Sequence, residues 1–148
     1  KADFFYYSQK NLGCFDLVVS NPPFFTNDLK SIDKRRANAR HTTELSFNKL
    51  CSGVSSCLSP TGKFCVVIPY YQLDDFKSTA ANNGLFLNKQ MIIFSRRAMP
   101  PNRINLEFSK DSSSTIKIEL FVIREENNTF TNQYRQYLDD FYLSIPEK

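Results

Sequence analysis

The residues best suited to chemistry lie where an apolar run of the sequence stops. Strand-forming residues at 15–20 are followed by Asn21, Pro22, Pro23 and Phe24. A buried strand is therefore expected to end here, and the two prolines, which fix φ, are expected to make the following loop rigid. In such a loop the side-chain oxygen of Asn21 and the carbonyl oxygen of Pro22 can converge on one point.

Two converging acceptors suit an exocyclic amino group on an aromatic base. Such a nitrogen is a weak nucleophile because its lone pair is delocalised into the ring. Accepting both of its hydrogens orients the group and favours a more pyramidal nitrogen, whose lone pair can attack an electrophilic methyl group. The ring of Phe24 could stack on a base turned out of its helix. A bare Asn-Pro-Pro sequence can also be an ordinary turn after a strand.

The motif Asn21–Phe24 resembles the signature of the S-adenosylmethionine-dependent amino-methyltransferases, which have a Rossmann-like sheet. Such enzymes act on adenine N6, guanine N2 or a protein glutamine, and the motif does not distinguish these acceptors. The stretches 39–45, 62–69 and 136–143 resemble the bacterial valine-tRNA (adenine-N6)-methyltransferase family. The resemblance implies methyl transfer to N6 of a tRNA adenine beside the anticodon. Asn21 and Pro22 would orient the amino group, Pro23 would stiffen the loop, and Phe24 would stack on the base.

The same resemblance assigns a cofactor role to the first residues. Residues 1–5 read as the end of a strand, and in these methyltransferases an Asp at such a position accepts a hydrogen bond from the adenine amino group of S-adenosylmethionine. Asp3 would therefore bind the adenine, Phe4 would flank it, and Asn21 would also contact the cofactor. An ordinary solvated Asp near the start of the chain is the alternative.

A glycine-rich cofactor loop, which lies upstream in these methyltransferases, is not found here. Gly13, Gly53, Gly62 and Gly84 are each isolated. We therefore expect residues 1–148 to be a single partial methyltransferase domain, the C-terminal part of an α/β, Rossmann-like class I sheet that lacks its first strands. Its site for S-adenosylmethionine would be incomplete, and the chain alone would be inactive.

Two further expectations follow from this partial sheet. The bare edge of the motif strand predicts that the chain self-associates or pairs with its missing N-terminal half. A noncatalytic RNA-binding domain that keeps the scaffold is the more distant alternative to an enzyme.

Hydrophobic periodicity predicts the other elements. Helices are expected over 45–58, 70–83 and 131–144, and strands over 64–68, 85–94, 103–108 and 116–123. Pro60 and Gly62 are expected to form a turn between the first of these helices and its strand, which gives a right-handed parallel crossover. The last two strands would form an antiparallel edge of the sheet, and the aromatic side chains of the last helix are expected to pack.

The charge of the chain is mildly basic. It has 19 basic and 15 acidic side chains, a net charge of +4 that would suit a polyanionic partner such as tRNA. Cationic side chains concentrate after the motif and again after residue 95. The candidate RNA-binding residues are Lys34, Arg35, Arg36, Arg40, His41, Arg96, Arg97 and Arg103. The stretch after the motif could equally be a solvated loop.

The cysteine and histidine content argues against metal and disulfide classes. The four cysteines show no C-x-x-C spacing, so reduced thiols in a cytoplasmic protein are expected. His41 is the single histidine and has no carboxylate or cysteine at metal-ligand spacing, so no zinc site is expected. No apolar run approaches the roughly 20 residues that span a bilayer, so no membrane partner is expected.

Overall fold

A mixed five-stranded sheet with helices against it forms the framework of the molecule. The computed structural model describes residues 3–22, 47–113 and 115–141. In chain order its elements are α1 (Phe4–Lys10), β1 (Phe15–Ser20), the described residues 47–57 of helix α2, β2 (Leu58–Pro69), a 3-10 turn (Tyr70–Gln72), α3 (Leu73–Asn82), β3 (Phe86–Arg96), β4 (Arg103–Ser109), β5 (Lys117–Arg124), α4 (Asn132–Leu138) and a second 3-10 turn (Asp139–Phe141).

The strands lie in the order β1-β2-β4-β3-β5. β1 is parallel to β2 and β3 is parallel to β5, whereas β4 runs antiparallel to both of its neighbours, β2 and β3. The predicted α/β sheet of parallel strands with an antiparallel component is confirmed. The predicted antiparallel edge is wrong in detail, because β4 lies inside the sheet and the edge strand β5 is parallel to β3. The chain reverses direction between β3 and β4 and again between β4 and β5, so β5 runs in the same direction as β3.

β1 is an edge strand rather than the buried strand expected from its apolar sequence. Leu17 and Val19 are 58% and 71% exposed. In the described part of the chain β1 pairs with β2 alone, and the half-buried Val18 packs against the helix-covered core. A strand with one neighbour and one covered face leaves its alternate side chains in solvent.

The junction between α2 and β2 also differs from the expected turn. The helix passes into β2 at Leu58, so Pro60 and Gly62 lie inside the strand. The register explains how the strand accommodates them: Phe15 pairs with Leu58, but Leu17 pairs with Lys63, so β2 bulges between these two pairs. A Cβ on Gly62 would lie 2.9 Å from the Phe15 carbonyl oxygen, which explains why glycine occupies the bulge.

One face of the sheet is sealed by α2 and α3. Phe47 of α2 and Phe76 of α3 meet edge to face at a ring-centroid distance of 4.9 Å, and Phe76 also contacts Phe64 of β2 and Phe108 of β4 at 6.4 and 5.8 Å. All four rings are buried. α3 is confirmed within its predicted range and ends before Gly84, whose φ of +72° suits glycine at a helix end.

The aromatic side chains of the last helix pack only in part. Tyr134 and Tyr137 contact the ring of Phe121, but Tyr137 is 54% exposed, Phe141 is 81% exposed, and the helix ends at Leu138, before the predicted end. Thr131 caps α4: its Oγ1 accepts from the Tyr134 N–H at 3.0 Å and donates to the Val122 carbonyl at 2.6 Å. The ring of Tyr134 stacks on Phe130 at 4.5 Å. The predicted residues 142–144 of this helix lie outside the described residues. Within the described ranges, the helices are all too short or too polar to cross a bilayer.

Candidate active site

Asn21 and Pro22 follow the last residue of β1, where the missing N–H of proline prevents further pairing. Asn21 is exposed and Pro22 is buried. The structure therefore presents the amide of Asn21 at the carboxyl end of a strand on a rigid support. Pro23 and Phe24 lie outside the described residues, so the stacking role of Phe24 stays a prediction.

A cavity of about 500 Å³ lies at the carboxyl ends of the parallel strands. β2, β3 and β5 each contribute a residue, and the two residues after β1 contribute as well. The start of β4 also lines it, because an antiparallel strand begins where its neighbours end. Its lining residues are Asn21, Pro22, Val67, Ile93, Asn102, Arg103 and Ile123. In open α/β sheets, ligands bind outside the carboxyl ends of the strands. The volume falls in the range of about 300–1,000 Å³ that is usual for small-ligand sites.

A second cavity, of about 400 Å³, lies between α1, β1 and α2. Asp3, Phe4 and Asn21, the three residues predicted to contact the cofactor, all line it, together with Pro22 and the exposed Lys49 of α2. The structure thus brings together the residues of the predicted adenine site and the predicted catalytic amide.

The opening residues are not the end of a strand, which corrects the sequence-based expectation. Phe4 begins α1, and Asp3 is its N-cap, accepting from the N–H groups of Phe5 and Tyr6 at 2.9 and 3.3 Å through Oδ1. Asp is a favoured N-cap because its carboxylate satisfies these otherwise unpaired donors. The cap fixes the orientation of the carboxylate beside the cavity. Its role toward adenine stays a prediction.

A close approach between two helices fixes α1 relative to the strand. A Cβ on Gly53 of α2 would lie 2.8 Å from Cε1 of Phe4 and 2.9 Å from Oγ of Ser8. Gln9 of α1 donates from Nε2 to Oγ of Ser56 in α2 at 3.0 Å. Gly53 therefore lets α1 lie against α2 and sets the position of Asp3 and Phe4.

A third cavity, of about 410 Å³, opens on the face of the sheet opposite α2 and α3, and Asn21 lines this cavity as well. Cys65 also lines it. Burial, and then the nearby Glu107 carboxylate, raise the pKa of Cys65, so this thiol stays protonated at neutral pH and is not an activated nucleophile. Two ion pairs cross the strands here, Lys63–Glu107 at 3.1 Å and Lys89–Glu119 at 2.9 Å.

Three of the arginines predicted to bind RNA lie in the described residues. They are found at the rim of the sheet, by which we mean the carboxyl ends of its parallel strands, and in the turn that follows β3. Arg103 is the first residue of β4 and shares the 500 Å³ cavity with Asn21. Arg97 is exposed in the turn after β3. Arg96 was expected in a loop, but it is the last residue of β3, because the pairing of β3 with β5 continues as far as Arg96 and Arg124.

Arg124 is a basic residue of the rim that the sequence did not single out. Its guanidinium lies 4.0 Å from the centroid of the Phe130 ring, and its Nη1 donates to the carbonyl of Asn128 at 2.6 Å. Arg96 donates to Oδ1 of the same asparagine at 3.0 Å. The acidic Glu126 lies beside this group and accepts from the Ala98 N–H, so the surface is mixed rather than uniformly basic. The other predicted RNA-binding residues, Lys34, Arg35, Arg36, Arg40 and His41, lie outside the described residues.

Sequence reasoning missed several lining residues, among them Lys49, Asn102 and Ile123. Lys49 lies on the helix treated as a cover for the sheet, and Asn102 lies in a stretch read as a basic loop. The available signal was the pair Pro100-Pro101 directly before the strand that starts at Arg103. This pair repeats the rigid strand-and-loop boundary seen at Asn21.

The chain is similar in sequence to proteins that are named as tRNA methyltransferases. The tRNA1(Val) (adenine(37)-N6)-methyltransferase of Bacteroides fragilis is 37% identical over 144 residues, which cover 97% of this chain and 60% of that protein. The proteins of the same name from Bacteroides thetaiotaomicron and Photorhabdus laumondii are 30% and 33% identical, over 98% and 93% of this chain and 60% and 54% of theirs. This chain is similar in sequence to those proteins over nearly its whole length. It spans about three-fifths of their length, and no family model matches it.

Solved structures with the same fold are also methyltransferases. A predicted O-methyltransferase from Agrobacterium tumefaciens superposes with a TM-score of 0.62 at 15% identity, over 95% of this chain and 56% of that one. The PvuII cytosine-N4-specific DNA methyltransferase superposes with a TM-score of 0.59 at 17% identity, over 93% of this chain and 60% of that one. At these identities the likeness establishes the fold, and it confirms the predicted methyltransferase-type sheet.

Proposed function

We propose that the protein containing this chain transfers a methyl group from S-adenosylmethionine to N6 of an adenine in valine tRNA, beside the anticodon. The observation that carries the proposal is the position of Asn21, exposed at the carboxyl end of β1 and lining the cavities that meet there. The similarity of nearly the whole chain to proteins named tRNA1(Val) (adenine(37)-N6)-methyltransferase supports the choice of acceptor.

Asn21 and Pro22 carry the catalytic role in this proposal. S-adenosylmethionine supplies an electrophilic methyl group when bound. The side-chain oxygen of Asn21 and the carbonyl oxygen of Pro22 each accept one hydrogen of the adenine amino group, which directs its lone pair at the methyl carbon. With S-adenosylmethionine bound, the nitrogen–carbon bond would form as the carbon–sulfur bond breaks, and the sulfur would keep that electron pair. The amino group, now positively charged, loses a proton to water, so no general base is required.

Asp3 and Phe4 hold the adenine of the cofactor in this proposal. The carboxylate of Asp3 accepts from the adenine amino group, and Phe4 flanks the ring. The cavity of about 400 Å³ is lined by an aromatic side chain and by a carboxylate that caps helix α1, and this lining fits the binding of adenine. No glycine-rich loop occurs in the sequence of this chain, so these residues account for only part of a cofactor site.

The candidate RNA-binding residues would contact phosphates of the tRNA. They are Lys34, Arg35, Arg36, Arg40, His41, Arg96, Arg97 and Arg103. Cations near the carboxyl ends of the strands would neutralise phosphates on either side of the target base, and this contribution weakens as salt rises. We place the protein in the cytoplasm with its tRNA substrate, in keeping with four free thiols.

We also propose that the outer edge of β1 is covered in solution, by a second copy of the chain or by a further strand of the same protein. Among the described residues β1 has β2 as its one partner strand, and Leu17 and Val19 are exposed on it. An unpaired strand edge favours the addition of another strand. Light scattering of this chain alone at increasing concentration would show association. A strictly monomeric chain would contradict self-association and leave the second arrangement.

The test of the proposed function uses the protein that contains this chain, unmodified valine tRNA and methyl-labelled S-adenosylmethionine. We expect N6-methyladenosine in the digested tRNA. The Asn21→Ala variant should lower the rate by about 10²- to 10³-fold, the cost of removing one positioned hydrogen-bonding group from an active site. Its unfolding temperature should stay close to that of the wild type because Asn21 is exposed.

The exposed Asn132 of α4 provides a matched control, because Asn132→Ala removes the same amide away from the described cavities and should leave the rate unchanged. Label in N2-methylguanosine or in a protein glutamine would identify a different acceptor. Tight tRNA binding without any transferred label would identify a noncatalytic RNA-binding protein. An Asn21→Ala variant with wild-type turnover would refute the assignment of the motif.

A further inference from the structure

Asn102 shares the cavity of Asn21 and Pro22 although it comes from the other half of the sheet. It precedes Arg103, the first residue of β4, and both residues line the 500 Å³ cavity. This proximity exists because β4 is antiparallel. Its first residue therefore lies at the same end of the sheet as the last residues of β1 and β2.

Both backbone polar groups of Asn102 are engaged within the framework. Its N–H donates to the Ile93 carbonyl at 3.1 Å, and its carbonyl accepts from the Tyr70 N–H at 3.2 Å. The residue itself is exposed, so the side-chain amide is the polar group that it can offer to a ligand. Pro100 and Pro101 precede it and fix two φ angles, so the amide is presented from a rigid turn.

The chemistry of adenine defines what this amide can contact. If Asn21 and Pro22 accept both hydrogens of the N6 amino group, the polar atoms left on that side of the base are the ring nitrogens N1 and N7. Both are acceptors, and an asparagine side chain supplies an NH₂ donor of matching size. Guanine carries a hydrogen on N1, so a donor that faces N1 would be repelled by guanine and accepted by adenine. N7 is an acceptor on both purines, so a contact to N7 would orient the ring without distinguishing the two bases.

We propose that Asn102 is a positioning residue, which donates from its side-chain NH₂ to N1 or N7 of the target adenine; a contact to N1 would also select against guanine. This inference rests on the proposed function and identifies a second contact to the same base. Asn21 and Pro22 hold the reacting group, and Asn102 holds the ring. It does not touch the transferred methyl group.

The test couples one protein group to one substrate atom. Valine-tRNA anticodon stem-loops would carry adenine, 1-deazaadenine or 7-deazaadenine at the target position, and kcat/KM would be measured for the wild type and for Asn102→Asp. The carboxylate keeps the shape of the amide but cannot donate. We expect the wild type to prefer adenine over one of the two analogues by about three- to tenfold, as loss of one hydrogen bond predicts, and Asn102→Asp to lose this preference.

The controls separate this idea from a structural role and from the proposed function. Asn102→Ala should lose the same preference without introducing a charge, whereas Asn132→Ala should keep it. A variant that only loosens the turn would slow all three substrates equally and lower the unfolding temperature. Preferences unchanged in both Asn102 variants would overturn the inference and leave the proposed function intact. A wild-type protein inactive on adenine would overturn the proposed function itself.

Discussion

The two faces of the sheet are built from alternate residues of the same strands, yet they differ in almost every property. On the face under α2 and α3, Phe64 and Phe108 are completely buried. On the opposite face the neighbouring positions of β2 and β4 carry Lys63 and Glu107, which form an exposed ion pair beside a cavity. One set of strands therefore supplies a sealed core and an open polar surface.

Because of this difference, we expect the residues that stabilise the fold and the residues that act on a ligand to lie in different parts of the sheet. The four buried rings of the covered face line none of the cavities described above, so their substitution can be judged by packing alone. Asn21, Asn102 and Arg103 stand at the carboxyl ends, where the cost of substitution should fall on binding and turnover. Substitutions on the covered face should therefore unfold the protein, and substitutions at the rim should inactivate it while it stays folded.

The largest expected effect on stability lies in the four-ring cluster of the covered face. Phe76→Ala should lower the free energy of unfolding by about 3–5 kcal/mol, because it removes a buried ring that contacts three other phenylalanines. Chemical denaturation followed by circular dichroism measures this. The 81% exposed Phe141 offers a matched control, and Phe141→Ala should change the value by less than about 0.5 kcal/mol. Equal losses in the two variants would break the distinction between covered and open regions.

A smaller and mixed effect is expected at Gly53, where the covered face meets the candidate cofactor site. Gly53→Ala should displace α1, since the new Cβ would lie within 3 Å of Phe4 and Ser8. Overpacking costs about 1–3 kcal/mol, offset in part by the roughly 1 kcal/mol gain in helix propensity. The free energy of unfolding should thus fall by at most about 2 kcal/mol. The affinity of the protein that contains this chain for S-adenosylmethionine, measured by calorimetric titration, should fall several-fold.

Ser55→Ala in the same helix serves as the control for Gly53, and it should leave the affinity unchanged. An unaltered affinity in Gly53→Ala would show that Asp3 and Phe4 do not depend on the packing of α1 against α2.

The smallest predicted effect concerns a thiol of the covered face. Burial raises the pKa of Cys51 to about 12 from its ordinary 9.0. The folded state therefore keeps a proton that the unfolded state loses above pH 9, so this group stabilises fully below pH 9 and loses its contribution as the pH rises toward 12. We expect a loss of the order of 1 kcal/mol in the free energy of unfolding by pH 10. The Cys51→Val variant should show a flatter dependence, and an unchanged slope would argue against a sealed thiol.

The local elements were largely predictable, and their arrangement was not. The alternation of Ile104, Leu106 and Phe108 predicted β4, and Phe76 with Ala80 predicted the buried face of α3. The position of β4 inside the sheet depends on which edges remain free after distant strands pair, and a local pattern does not contain that information. Phe4 and Phe5 favour strands by propensity, but the cap at Asp3 and the packing against α2 make them helical.

The candidate site was predictable to the same extent. Asn21 and Pro22 could be identified from the sequence because an apolar strand, an amide and two prolines follow one another along the chain. Asn102 joins them only through folding, across strands that are far apart along the chain. Asp3, Phe4 and Asn21 were assigned from resemblance, and the shared cavity is consistent with that assignment.

The direction of a single strand has a practical consequence for altering this protein. If β4 were parallel to its neighbours, the connection at 97–102 would have to run back along the full length of the strands before β4 could begin. Because β4 is antiparallel to β3, that connection is a short turn whose last residue lines the same cavity as Asn21 and Pro22. Backbone hydrogen bonds hold both ends of the turn. If the proposed function holds, lengthening or exchanging this turn should alter which nucleotide is accepted, while the strands and their register remain as they are.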